Sequence, residues 1–303
     1  MAKKLGSLGI ALALLCIPLM VMIGLTLITN GVGMAHEIGI QEPPLTTVDA
    51  SSVPQSIKDD AVRAAASVAS DDQQKASELA EELVGSYVEA SNKDVVIIFN
   101  SGGMGWNLTE DTPGWATILD GITAQLAELG YQSVVMNYRR TGGGFLASVK
   151  EIIEAVRQYP NKVKDLELRI RFLTRHLPDL RIIVTGESTG TVITDEAMAR
   201  LQDQPHVYSI QTGMPFWHKP TTTDDRVLLV NSNGLGEDTF SYGNVPAMLW
   251  ATVKGWFGMT KSSDNPGNVL KWLRAPGHDY SWQYPGVYDA IVDFLQSNFG
   301  QGD

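Results

Sequence analysis

One cysteine stands in 303 residues, at position 16, inside the most apolar segment of the chain. That scarcity excludes an intrachain disulfide, a cysteine-based zinc site and a thiol nucleophile anywhere beyond that segment. Histidine is nearly as sparse. His36, His176, His206, His218 and His278 show no pairing at helical or zinc-ligand spacing, so neither a metal nor another cofactor is expected. Positive charge is short as well: 23 Lys and Arg stand against 34 Asp and Glu, a formal −11 that becomes −13 once Lys3 and Lys4 are set aside. A surface this acidic repels phosphate backbones, which argues against a nucleic-acid partner. What the chain does have is 44% apolar residues, ample for a sizeable core, and serine as the natural candidate nucleophile.

The apolar content is concentrated at the front. Residues 5–28 carry no charge over 24 positions, which matches the roughly 20 needed to cross the hydrocarbon core as a helix. A cleaved signal has a shorter apolar region, about 7–15 residues, before a small-x-small site, and Gly33-Met-Ala35 matches that weakly. The expectation is a retained single-pass transmembrane anchor in residues 1–30, with secretion as the alternative if the segment is removed. Leu15 beside Cys16 argues against a lipoprotein signal. Lys3 and Lys4 favour a cytoplasmic N-terminus, so the remainder is expected on the extracytoplasmic side.

Residues 31–91 change to Ala, Ser, Asp, Glu and Gln and read as a connector with two helices. Ser70-Asp71-Asp72 supplies N-cap chemistry for the second. The helices serve either as a stalk or as packing against the domain at 92–303.

From residue 92 to 303 short apolar runs alternate with helical patterns. Strands are predicted at 94–100, 132–138, 181–185, 207–211, 226–231 and 269–275. Helices are predicted up to 129, at 145–158, at 162–176, after 190 and at 285–299. This is an α/β pattern: three layers, a mostly parallel sheet of at least six strands and helices on both faces. In such sheets functional groups collect at the carboxyl edge. The run 181–185 leads into GESTG, residues 186–190, and then into a helix. Strand, G-x-S-x-G, helix is the setting of a nucleophile turn, with Ser188 thrust out on the bend.

A serine hydroxyl needs a base, and the base needs an orienting acid. His278, in Pro276-Gly-His-Asp-Tyr280 after the last predicted strand, can reach back across the sheet edge; the other four histidines are poorly placed. The loop after 226–231 ends in Glu237 and Asp238, of which Asp238 is the first choice and Glu237 the alternative. Asp224 and Asp225 precede that strand, at the wrong edge, and Asp195 lies in the helix after Ser188 as an outsider. Asp279 is set aside because neighbouring side chains in an extended segment point apart. Oxyanion donors are expected from the Thr189 amide and from the loop Ser101-Gly-Gly-Met-Gly-Trp106, at Gly103 or Met104. No lysine follows that loop in the manner of a nucleotide cradle.

Together GESTG, SGGMG, the acid loop and PGHDY resemble the α/β-hydrolase superfamily over residues 92–299, in the chain order Ser, acid, His. The resemblance implies a serine hydrolase of esterase, lipase, thioesterase or peptidase type, working through an acyl-enzyme. The sequence departs from many members in having Ser101 where a histidine precedes the oxyanion glycines. The expected substrate is a small-molecule or lipid-like acyl ester or thioester. Two aromatic segments, 214–218 and 245–259, are the candidates for lining or covering the site, and the absence of a long cap insertion predicts an open one. A silent hydrolase-like binding module and an acyltransferase using the same triad are the rival readings.

Overall fold

Strand β1, Val95–Asn100, is buried at every position, as its unbroken run VVIIF requires of a strand covered on both faces. It lies inside a five-stranded sheet of order β2-β1-β3-β4-β5, with β2 at Ser133–Asn137, β3 at Arg181–Glu187, β4 at Val207–Thr212 and β5 at Val227–Val230. All four pairings are parallel, and the β1–β3 register runs from Val95 opposite Arg181 to Asn100 opposite Gly186. The carboxyl ends of β1, β3 and β4 therefore share one edge.

The computed structural model describes residues 50–69, 72–103, 112–138, 159–222, 224–259, 267–270 and 273–300. All lie in one unit, Val48–Asp303. The predicted anchor at residues 5–28 and the predicted helix at 145–158 lie outside the described residues. Among the described residues no helix is long and apolar enough to cross a membrane.

The period-2 alternation of the strands sorts side chains to two cores. On one face Val96, Ile98, Ile182, Val184 and Val207 meet helices α4 (Pro160–His176) and α5 (Thr189–Arg200). On the other, Val95, Ile97, Phe99, Ile183 and Ile210 meet α3 (Pro113–Glu128) and the last helix, α7 (Pro285–Phe299). The result is three layers. The two connector helices, α1 (Gln55–Ala69) and α2 (Gln73–Ala90), pack on Phe172 of α4 instead of standing free. Asp72 caps α2 by accepting from the Lys75 amide. His176, at the end of α4, joins this packing through Asp60, 2.9 Å away.

One strand prediction fails. The run 269–275 does not join the sheet; Asn268–Leu270 (β6) and Leu273–Arg274 (β7) form a separate antiparallel pair. Their backbone groups are satisfied locally: β7 also donates Arg274 N to Thr252 Oγ1 of α6 (Val245–Trp256). Among the described residues no further strand extends the sheet beyond β5.

Candidate active site

Ser188 makes the turn between β3 and α5 alone, at φ 49° and ψ −120°. A non-glycine residue held there costs on the order of 1–3 kcal/mol, so the surroundings must impose it. They do: Ser188 N donates to Thr212 O at 2.9 Å, and its carbonyl accepts from Thr191 N at 2.9 Å and Thr191 Oγ1 at 2.6 Å. The flanking glycines answer to the same tightness. A Cβ on Gly190 would lie 2.4 Å from Asn100 O, and one on Gly186 would lie 2.9 Å from Thr191 Cα. Either substitution would push the helix off the strands.

His278 arrives from the loop after β7. Its Nε2 lies 3.0 Å from Ser188 Oγ, and its Nδ1 lies 2.8 Å from Asp238 Oδ2. Asp238 is wholly buried, so its carboxylate needs every partner it has. Oδ2 also accepts from Tyr280 Oη at 2.6 Å and Ser241 Oγ at 2.8 Å, while Oδ1 accepts from the amides of Phe240 and Ser241. Burial alone would raise this carboxyl's pKa. The bonds and charge of His278, with those of Tyr280 and Ser241, outweigh burial and hold it below the ordinary value.

The two loops carrying acid and base are laced to each other. Asn233, fully buried, donates to Asp279 O at 2.8 Å, and Thr239 donates to Pro276 O through both N and Oγ1 at 3.0 Å. Gly277 permits the close crossing: its φ is 84°, and a Cβ there would lie 2.2 Å from Glu237 O. The other acids weighed from the sequence go elsewhere. Glu237 is exposed, Asp279 accepts from Tyr284 Oη at 2.7 Å, and Asp224 pairs with Arg226 at the turn before β5. Asp195 is paired, but with a different histidine, His218, at 2.8 Å.

Asn233, Ser241 and Tyr280 are supports that sequence reasoning did not pick out. Tyr280 had a signal: it stands two positions after His278, so an extended segment turns both side chains the same way.

At the expected oxyanion position, Thr189 Oγ1 donates to Gly103 O at 2.8 Å, which ties the start of α5 to the loop after β1. The Gly102 amide is committed to Glu187 Oε2 at 3.0 Å. Met104, the other candidate donor, lies outside the described residues. Among the described residues no three side chains of His, Cys, Asp or Glu stand together in a way that could ligate a metal.

A cavity of about 140 Å³ opens at Ser188, walled by Gly103, Glu187, Val269, His278 and Tyr280. Ser188 and His278 themselves are only 6% and 9% exposed. A larger cavity, about 210 Å³, lies beside Asp195, Gln211, Met214 and Leu229 and is not walled by Ser188 or His278.

Comparison with protein-family models and with curated proteins gave no match. Among solved structures the chain is similar to a Trichoderma reesei cutinase in complex with a C11Y4 phosphonate inhibitor, at 15% identity and a TM-score of 0.41 over 82% of this chain and 94% of that one. A likeness this distant assigns neither a family nor an activity.

Proposed function

We propose that the chain is a serine hydrolase cleaving a carboxylic ester or thioester through an acyl-enzyme. The observation that carries this reading is the continuous hydrogen-bonded series Ser188 Oγ, His278 Nε2, His278 Nδ1, Asp238 Oδ2, mounted on a strained strand-to-helix turn. With Nδ1–H donating to Asp238, Nε2 is left to accept from the serine hydroxyl. Ser188 attacks the substrate carbonyl carbon as its proton passes to His278. The Thr189 amide, at the positive end of α5, and the Gly103 segment stabilise the oxyanion. His278 then protonates the leaving alcohol or thiol, and water enters by the reverse path to free the acid.

The 140 Å³ cavity is below the roughly 300 Å³ at which drug-sized ligands are enclosed. The reacting centre and a few carbons fit, and the rest of an acyl chain lies outside. Residues 5–28 tether the domain as a single-pass anchor with the site on the extracytoplasmic face. Protease protection in sealed membrane vesicles tests that orientation, and a protected domain in right-side-out vesicles rules it out.

A fluorophosphonate probe tests the chemistry. Wild type takes the label and Ser188→Ala does not; a well-folded wild type that stays unlabelled sinks the hydrolase reading in favour of a binding module.

A further inference from the structure

Helix α6 turns the wrong side to water. At 3.6 residues per turn, Pro246, Leu249, Trp250, Val253, Trp256 and the C-cap Phe257 fall in a stripe about 120° wide. Leu249, Trp250, Trp256, Phe257 and the following Met259 are 52–73% exposed. The opposite side of the helix carries Met248 and Thr252, buried, and Gly255 against Arg274 of β7. A surface helix ordinarily shows water its charged face, yet the single charge on α6 is Lys254, whose ammonium lies 5.5 Å from the Trp250 ring centre.

This face backs onto the candidate site. Met248 packs with Phe240, Ala275 and Val269, and Val269 walls the serine cavity. Phe240 lies 4.7 Å from the His278 ring and 5.2 Å from Trp217, itself 44% exposed. Exposed apolar surface is thus gathered on the elements that enclose the base. Contiguous apolar surface of this kind marks a docking site more often than plain exposure.

We infer that the exposed face of α6 docks into a lipid surface of neutral headgroups, from which the cavity draws the ester of an acyl lipid. Trp with a flanking Lys suits the headgroup boundary, where an aromatic body is buried and a polar end stays wet. The formal charge of −11 disfavours an anionic surface. The chain itself supplies proximity. Residues 29–49 separate the uncharged apolar stretch 5–28 from the first described residue, and 21 extended residues span at most about 75 Å. Docking does not require hydrolysis; the fate of the lipid does, and rests on the proposed function.

The test uses the full chain carrying Ser188→Ala, reconstituted in phosphatidylcholine vesicles with brominated acyl chains, with tryptophan quenching as the readout. Quenching is expected to fall sharply in Trp250→Ser/Trp256→Ser/Phe257→Ser at unchanged melting temperature. Trp250→Lys provides a second, milder variant. With Ser188 restored, the triple variant is expected to lose at least about tenfold in rate on an ester dissolved in the vesicles and to keep its rate on a short water-soluble ester. Equal quenching in parent and triple variant overturns the docking inference. So does loss of a dimer in the triple variant, which would make a second copy the occupant. Quenching as expected with no turnover of either ester by wild type overturns the hydrolase reading and leaves docking standing.

Discussion

Asp238 holds His278 and Asp195 holds His218 at the same 2.8 Å, and all four side chains are buried. The two pairs differ in which ring nitrogen meets the acid. His278 turns Nδ1 to Asp238 and so presents Nε2 to Ser188. His218 spends Nε2 on Asp195, and its Nδ1 is buried with no hydrogen-bond partner among the described residues. Hydroxyls are near the second pair too, but Thr221 donates its Oγ1 directly to the Asp195 carboxylate, which bypasses the imidazole. A buried Asp–His pair is therefore not a proton relay by itself. The relay requires the outer nitrogen to face a hydroxyl held on a turn.

The second pair has a structural task. Fourteen residues, 213–226, connect the parallel strands β4 and β5, and among the described ones none is helical. Parallel neighbours usually take a helix in that connection to cover the sheet. Here the loop itself lies over the α5 side, and Asp195 of α5 pins it through His218, Thr221 N and Thr221 Oγ1.

The sharpest way to break the comparison is through turnover. Ser188→Ala or His278→Ala should lower kcat on a short chromogenic ester by about 10⁴-fold or more, and Asp238→Asn by a similar factor because the ring tautomer is no longer fixed. His218→Gln, measured per folded molecule, should stay within about threefold of wild type, since neither residue of its pair walls the cavity at Ser188. A His218 variant as dead as the His278 variant would merge the two pairs into one machine.

Stability should show the reverse pattern. Removing one partner of a buried pair strands the other, at a cost of about 3–5 kcal/mol. His218→Ala should lower the urea midpoint by a matching amount, read by circular dichroism. Ser188→Ala should leave the midpoint unchanged or raise it, because alanine removes a buried hydroxyl while the turn's backbone bonds persist. An unchanged midpoint in His218→Ala would show that Thr221 alone secures the loop.

These contrasts also mark what the sequence could yield. GESTG was readable because its chemistry is local: a strand, a tight bend and a helix are written in consecutive residues, and the two glycines are demanded by atoms of the same turn and the adjacent strand. The order Ser188, Asp238, His278 was readable because loops at the carboxyl edge converge whatever their length. The Asp195–His218 pair was not, since 22 residues, among them the end of α5 and all of β4, stand between the two and no spacing rule links a helical Asp to a loop His. The sixth strand was misread because 269–275 has strand composition, while its partner is its own neighbour and α6. A propensity cannot distinguish that from joining the sheet.

The smallest effect concerns the support behind Asp238. Burial and the neighbouring carboxylate push the Tyr280 phenol's pKa up, which keeps it a donor to Asp238 throughout the working range. Because Asp238 titrates below its ordinary 3.8 when folded, its contribution to stability is complete above that value and is lost as pH falls through the depressed one. Tyr280→Phe removes one charge-assisted bond, worth about 1.5–3 kcal/mol, and should move the carboxyl's pKa upward. Acid unfolding should then begin at a higher pH than in wild type, followed by denaturation midpoints from about pH 5 downward. The kcat of Tyr280→Phe at neutral pH should fall only a few-fold, because Ser241 and two amides still orient Asp238. The equivalent removal at the second pair, Thr221→Val, should shift stability without moving any pH–rate limb; a change in the acid limb there would mean that the two pairs are coupled through α5.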